Sequence, residues 1–476
     1  MPDPLSLRDE MREALALAAR ESSSYVSSIG DQLVLDPGAE QLLAGFGERL
    51  PAAGVGAAAA LSELIEIALP TATRSSGPRF FHFVQGGTTP AALGADWLTS
   101  ALDQSAFAWA SSPLGSRLEA IVLAWLLDLS ELPTEFTGVL VSGDTMANFT
   151  GLLAARDHCA ELQGIDVDGA GAFSLEPPAV LSSGYVHPSA VQAIGMLGLG
   201  RSTVRRLARD GVGRLDLEAL EAALTQARGN AIVIANAGEV NAGDFDPIEA
   251  VADLVAEHGG WLHVDGAFGL FARLTPESRG LADGIERADS IAADAHKWLN
   301  VPYDCGFAFV REPARLARGH GVDAAYLPSP DDPRPSFGFL SPENSRRARA
   351  LAIWATLRAY GRDGHREMVE RHLALARHLG ALIEAEPALE LLADVQLNIV
   401  LFRARPAGID EQGLDRLNRE LGEALLRDGR VFAGTTTYDG KIALRPAIVN
   451  WQTTETDVEL LVEVVLELLD EGGRRR

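Results

Sequence analysis

Short apolar runs alternate with helical stretches from about residue 138 to residue 310, and this rhythm restricts the fold more than any other feature of the chain. The strand-like runs are 138–141, 179–181, 231–235 (AIVIA), 261–264 (WLHV), 290–292 and 306–310. Helical patterns fall between them at 146–162, from Pro188 onward, and at 247–257. Strand and helix in turn predict an α/β fold, a mostly parallel sheet flanked by helices. In such sheets ligands gather at the carboxyl ends of the strands.

The flanks read differently. Residues 1–70 are Ala-, Leu- and Glu-rich helices interrupted at Pro37, Gly38 and Pro51, and a cluster of turn-forming residues at 71–78 marks a boundary. Residues 323–345 hold five prolines and little periodicity, so a long irregular loop is expected, of a length that is usually functional or disordered. Helices resume at 346–360 and 367–384. Strand-like pieces at 397–402 and 441–444 and a last helix at 455–469 fit a small α+β C-terminal domain. The expected division is an N-terminal helical segment (1–74), a large domain (75–360) and a small C-terminal domain (361–476).

Composition matters here for what it excludes. Asp and Glu number 66 against 41 Lys and Arg, a net charge of −25. A surface so acidic repels nucleic-acid backbones and anionic lipid, so neither partner is expected. Two cysteines, Cys159 and Cys305, make neither a disulfide framework nor a zinc ligand set. No secretion signal is read at the N-terminus, and no apolar run reaches ~18 residues. The run 121–127 stops at Asp128. A cytoplasmic enzyme is expected, without a metal. His258, His263 and Asp265 would lie on a helix end and one strand, which reads as ordinary structure.

Three elements carry chemistry. The run WLHV delivers Asp265 at its C-terminal end, and Lys297 follows 32 residues later in AHKW, just past SIAA. A lysine there, preceded by His296, is placed to form a Schiff base, and burial lowers a lysine pKa and makes it nucleophilic. An aspartate beside a pyridine nitrogen keeps that nitrogen protonated. The second element is SGDTMANF (142–149), where Gly143, Asp144 and Thr145 join a strand to a helix. Backbone N–H groups and the Thr145 hydroxyl can wrap a phosphate there. Asp144 fits only through its backbone amide, with its carboxylate turned away. Third, His187 in SSGYVHPSA can stack on a flat ring and move protons near neutral pH.

Phosphate cup, histidine, aspartate and His–Lys occur in that order, and together the chain resembles the group II pyridoxal-phosphate decarboxylases, which include the aromatic-L-amino-acid, glutamate and diaminobutyrate decarboxylases. The resemblance spans about residues 77–450. It rests on PRFFHF (78–83), SSP (111–113), GVLVSGDTMANFTGLLAAR (138–156), SSGYVHPSA (182–190), HVDGAFG (263–269), ADSIAADAHKWLNVPYDCG (288–306), SRRARALAIW (345–354) and ALRPAIVNWQTT (443–454). It implies the aspartate-aminotransferase-like fold type I of PLP-dependent transferases. It also implies pyridoxal 5'-phosphate as cofactor and a homodimer with shared active sites, residues 1–70 wrapping the partner. By resemblance Lys297 is the cofactor lysine, Asp265 the pyridine-nitrogen partner and His187 the stacking histidine. Gly143, Asp144 and Thr145 match the phosphate loop. Asp294 and His296 line its phosphate side, and Ala267 packs beneath the ring.

The expected activity is decarboxylation of an L-amino acid to amine and CO2. Phe83, Val84, Phe107 and Trp109 resemble an aromatic-type pocket wall, with Phe337 from the loop, and favour an aromatic or apolar substrate. Arg79 adjoins that stretch. The sequence departs from the family at Asp144, at Glu239 and Val240 in place of a Thr pair, and in the loop. The loop has Phe337 and Phe339 where aromatic-type decarboxylases carry a proton-donating tyrosine. Phenylalanine there goes with aldehyde-forming decarboxylation–deamination in air; His187 or Tyr326 is the substitute donor if the product is an amine. An aminotransferase would use the same lysine, aspartate and phosphate cup.

Overall fold

The computed structural model describes residues 10–47, 49–321, 329 and 332–475. Seven strands form the main sheet: β1 (Thr137–Val141), β2 (Ala179–Ser182), β3 (Val204–Arg206), β4 (Ala231–Asn236), β5 (Trp261–Asp265), β6 (Ser290–Asp294) and β7 (Gly306–Val310). Their order is β1-β7-β6-β5-β4-β2-β3. Only β7 runs against the rest, pairing antiparallel with both β1 and β6. Every residue of β4, β5, β6 and β7 is buried. That explains why these strands read as apolar runs rather than alternating ones: helices cover both faces.

The helices before the first crossover are α1 (Glu10–Ser28), α2 (Ala57–Thr71), α3 (Pro90–Leu102), α4 (Pro113–Leu129) and α5 (Asp144–Leu162). Neither α1 nor α2 has a buried residue. The Ser112 hydroxyl caps α4, accepting the Gly115 N–H at 2.9 Å, and Pro113 fills the first turn, where no N–H is needed.

A second, antiparallel sheet has the order β10-β11-β9-β8, with β8 Leu389–Leu391, β9 Phe402–Ala404, β10 Thr435–Tyr438 and β11 Lys441–Leu444. The strand expected at 397–402 is displaced. Only Ile399 bridges Ala447, and the ladder begins at Phe402. The helix expected from residue 346 begins at Ala350, because Arg347 bridges Ser105 and the Arg346 carbonyl accepts the Ala106 N–H. At Gly361 the backbone leaves helical geometry (φ 62°, ψ −173°), so the segment Ala350–Ala385 is two helices meeting at a kink.

Between α4 and the sheet lies a buried ion pair. Arg346 donates to Glu119 in two bonds of 2.6 and 3.1 Å and to the carbonyl oxygens of Leu140 and Ala106. Both side chains are almost wholly buried. This pins the end of the long loop to β1, the strand that leads into the site.

Candidate active site

Four strand ends converge at one edge of the main sheet. β1 passes through Ser142 and Gly143 into α5, β2 leads to His187, β5 ends at Asp265, and β6 ends at Asp294, three residues before Lys297. Of the nine residues the sequence assigned to a cofactor, seven line a single cavity of about 340 Å³: Gly143, Asp144, Thr145, His187, Asp294, His296 and Lys297. Asp265 stands just behind. Polar atoms of Asp144, His187 and Asp265 all lie within 4.8 Å of one another. Ala267 closes the turn, its N–H donating to Asp265 Oδ1 (3.2 Å) and its carbonyl accepting the Asp294 N–H (3.0 Å).

Lys297 Nζ sits 2.9 Å from Asp294 Oδ2. The sequence led to a lowered lysine pKa, and the structure reverses that. Burial does push it down, but the carboxyls of Asp294, Asp144 and Asp265 outweigh burial and the net shift is upward. The backbone around Lys297 is tightly packed, since a Cβ at Gly86 would collide with the Lys297 carbonyl oxygen. Nearby, Phe83 and Val84 both hold left-handed backbone angles (φ 57° and 56°). A β-branched residue rarely adopts that conformation, which persists only where its surroundings fix it.

Gly143 precedes α5 without a side-chain cap, so the first N–H groups of the helix open onto the cavity. The Asp144 side chain turns back along α5. Its Oδ2 lies 2.8 Å from Asn148 Nδ2 and 2.8 Å from Ser189 Oγ, and its Oδ1 is buried without a partner. Burial first, then Asp265 and Asp294, lifts its pKa well above the usual carboxylate range.

Asn148, Ser189 and His263 are site residues the sequence reading missed. The Trp261 indole N–H donates to Ser290 Oγ (2.9 Å), and Ser290 Oγ meets His263 Nδ1 at 2.8 Å. His263 Nε2 meets Asn148 Oδ1 at 2.7 Å. Asn148 Nδ2 donates to Asp144 Oδ2 (2.8 Å) and Asp265 Oδ2 (3.2 Å), so its Oδ1 accepts the His263 Nε2 proton and the neutral ring accepts the Ser290 hydroxyl at Nδ1. Asn148 lies four residues after Asp144, on the same face of α5, the one signal that was available. His258, by contrast, bonds Thr225 and its own helix, apart from this cluster.

Arg445 is a fourth missed residue. It is buried, donates to the Val240 carbonyl (2.7 Å), and among the described residues has no carboxylate within ion-pair distance. Its charge reaches His187 and His82. Arg79, which the sequence placed beside a pocket, instead bonds the carbonyls of Gly30 and Gln32 and holds the N-terminal segment.

The structure does not bring the expected substrate wall into the Lys297 cavity of its own chain. Val84 is core, and Phe107 packs edge-on against Phe339 at 5.2 Å. Trp109 is half-buried outside the cavity lining, and Phe337 lines a different cavity at the far end of β1. Phe83 stays 61% exposed. Tyr326 lies outside the described residues.

Comparison with known proteins agrees with this architecture. The family model for the pyridoxal-dependent decarboxylase conserved domain matches residues 41–405. An L-2,4-diaminobutyrate decarboxylase of Rhizobium meliloti (strain 1021) is 33% identical over 429 residues, 88% of this chain and 83% of that protein. A phenylacetaldehyde synthase of Arabidopsis thaliana is 28% identical over 418 residues, 84% of this chain and 83% of its own. The crystal structure of Oryza sativa TDC with PLP and tryptamine superposes with a TM-score of 0.89 at 27% identity, covering 99% of both chains. The fold is the fold-type I arrangement of PLP enzymes. The chain therefore belongs to the pyridoxal-dependent decarboxylases, carboxy-lyases that work with pyridoxal phosphate.

Proposed function

We propose that this protein removes the carboxyl group of an L-amino acid to give the amine and CO2, that Lys297 holds the cofactor covalently, and that the substrate side chain is aromatic or apolar. The observation that carries this reading is the convergence of Lys297, Asp294, Asp265 and His187 around the open N-terminus of α5. The residues fit pyridoxal phosphate. Asp294 Oδ1 is a buried acceptor with no hydrogen bond, 3.5 Å from His296 Nε2, and the first N–H groups of α5, with the Thr145 hydroxyl, suit a phosphate. Asp265 suits the ring nitrogen, and His187 and Ala267 its two faces.

Pyridoxal phosphate, when bound, supplies a ring that accepts the electron pair left as CO2 departs. Asp265, held by Asn148 and the Ala267 N–H, opposes the positive charge of the ring nitrogen. Arg445, a buried guanidinium with no carboxylate partner among the described residues, offers a binding point to the substrate carboxylate. Burial lowers the His187 pKa, leaving a neutral imidazole able to hold and give a proton.

We also propose a homodimer in a reducing cytoplasm. α1 and α2 leave Met11, Leu15 and Leu64 exposed, an apolar face that a second copy would cover, and both cysteines are buried free thiols. Among the described residues no helix is long and apolar enough to cross a membrane. Across such an interface the exposed Phe83 and the half-buried Trp109 would face the partner's site, whereas Phe107 and Phe337 are buried within their own chain.

One observation favours a second reading, oxidative formation of an aldehyde. The described part of the loop carries Phe337 and Phe339 and no tyrosine. A single assay separates the two. The PLP-loaded protein is given a panel of L-amino acids in air and the products are identified by mass spectrometry. Amine with CO2 supports the first reading. Aldehyde, ammonia and peroxide without amine replace it by the second, and a keto acid product overturns both in favour of transamination.

A further inference from the structure

A third cavity, of about 280 Å³, lies where the second sheet meets the turn at residues 209–214, and it shares no lining residue with the cavity around Lys297. We propose that this cavity binds a free α-amino acid, its carboxylate held by the Tyr438 hydroxyl and Lys441 and its ammonium by Asp394 and Asp439. The site stands whichever reaction the Lys297 cavity performs.

Tyr438 is the residue that points to a ligand. It ends β10, is only 6% exposed, and packs in a small apolar cluster with Ala242, Leu401 and Ala443. A tyrosine buried to that degree normally has a partner for its hydroxyl. Tyr438 lines the cavity, and its hydroxyl has no hydrogen bond to any described residue. Nearby Tyr185 shows the usual outcome: its hydroxyl donates to Asp244 Oδ2 at 2.7 Å, and Gln396 Nε2 donates to Asp244 Oδ1 at 2.6 Å. Burial first, then the charges of Asp244 and Glu239, pushes the Tyr438 pKa up to about 12, so its phenol is a neutral donor at pH 7.

The charged groups on the cavity wall are also unspent, and they carry both signs. Lys441 pairs with Tyr438 across the β10–β11 turn and has no carboxylate within ion-pair distance among the described residues. The carboxylates of Asp394 and Asp439 accept no hydrogen bond from any described residue. Asp439 holds a left-handed backbone angle in that turn (φ 48°), and its Oδ1 leaves no room for a Cβ at Gly211, so the turn of the second sheet packs directly on residues 209–214. Arg214 is the other cation on the wall, and it is already committed, 3.3 Å from Asp210 and 3.8 Å from Asp244.

Size and sign together select the ligand class. Sites for larger organic ligands begin at roughly 300 Å³, so a nucleotide or a peptide is too big for this space. A phosphate would be repelled by Asp394 and Asp439. A simple amine would leave the Tyr438 hydroxyl and Lys441 unused. A zwitterion satisfies donors and acceptors at once, and Val212, Leu392 and Ala393 offer an apolar wall to a short side chain. The occupied cavity would join the second sheet to a turn that supports the path to His187. The Gly184 N–H donates to the Gly213 carbonyl at 2.8 Å, and His187 follows three residues later.

Calorimetric titration tests the site. The PLP-loaded protein is first reduced with borohydride, which fixes the cofactor to its lysine and prevents exchange with an added amino acid. The probes are L-valine and L-leucine, each compared with the amine that lacks its carboxylate and the keto acid that lacks its ammonium. At least one amino acid should bind, and its two analogues should bind about tenfold more weakly. Tyr438→Phe, which keeps the ring in its cluster, and Lys441→Ala should each weaken binding about fivefold. No binding of either amino acid overturns the proposal. So does unchanged affinity in Tyr438→Phe or in Lys441→Ala, which would place the ligand elsewhere. An amine or keto acid that binds as tightly as its amino acid overturns it too, because the site would then read a single charge.

Discussion

The two ends of strand β1 open onto two cavities of opposite character. At its C-terminal end Gly143, Asp144 and Thr145 meet Lys297 and Asp294 in a space of about 340 Å³. At its N-terminal end Thr137 and Gly138 meet Leu123, Leu127, Phe136 and Phe337 in a larger space of about 580 Å³. The larger cavity is mostly apolar, and its one cation, Arg362, is spent on Asp128 and on the carbonyl oxygens of Asp128 and Leu129. Cavity size therefore does not locate the chemistry here. Convergent polar groups with unspent bonding capacity do: the orphan oxygens of Asp144 and Asp294, the open end of α5 and the crowded lysine.

The strongest way to break this contrast is to remove Lys297. Lys297→Ala should abolish turnover and the visible absorbance of covalently held cofactor, and leave the fold intact. Retained turnover would sink the assignment of the smaller cavity as the active site. Next in size is the ion pair that holds β1 between the two cavities. Arg346→Met leaves Glu119 buried and unpaired, and a loss of about 3–5 kcal/mol of stability is expected in urea unfolding. Adding Glu119→Leu should recover much of it. If the single variant is as stable as the wild type, the pair does not anchor the loop end to β1.

How much of this was legible in the sequence follows physical lines. Asp265 and Lys297 could be read because one closes β5 and the other follows β6 by three residues, and each strand is a run of neighbours in the chain. β3 and β10 could not: they are three and four residues long and mostly exposed, so no apolar run marks them. The Asn148–His263–Ser290 chain was hidden because it joins α5, β5 and β6, and only the assembled sheet places them together. The direction of the Lys297 shift was misread for the same reason. Asp294 is three residues away, but Asp144 arrives from another element, and together the carboxyls reverse the effect of burial.

A smaller effect, seen on acidification, involves the polar side of the comparison. His263 is pushed down to about 4 and His372 to about 3, both by burial. Trp298, next to Lys297, donates its indole N–H to His372 Nδ1 at 2.8 Å, so protonating that ring breaks the bond. For a histidine whose folded pKa is depressed, stability is present above the unfolded value near 6.5 and is lost as pH falls toward the folded value. The thermal midpoint should therefore fall between pH 6.5 and pH 4. Asp246, raised to about 6 by burial, works the other way over the same range and softens the fall. A midpoint that rises on acidification would show that the buried acids dominate. In the same polar region, Arg445→Met should raise KM about tenfold with kcat little changed, as removal of uniform binding does. An unchanged KM would exclude Arg445 from the substrate site.

The smallest effect belongs to the apolar cavity and sharpens the comparison most. Phe337 is 8% exposed and packs on a space it does not fill, so Phe337→Leu removes few contacts. About 1 kcal/mol of stability should be lost, within the range of conservative hydrophobic exchanges. Cofactor affinity, measured by absorbance titration, should not change, because the cavity at the Thr137 end of β1 shares no lining residue with the cavity around Lys297. A tenfold loss of affinity would mean that the two ends are mechanically coupled. The Arg346–Glu119 pair, which bonds the Leu140 carbonyl and N–H midway along β1, would then be the connection to examine.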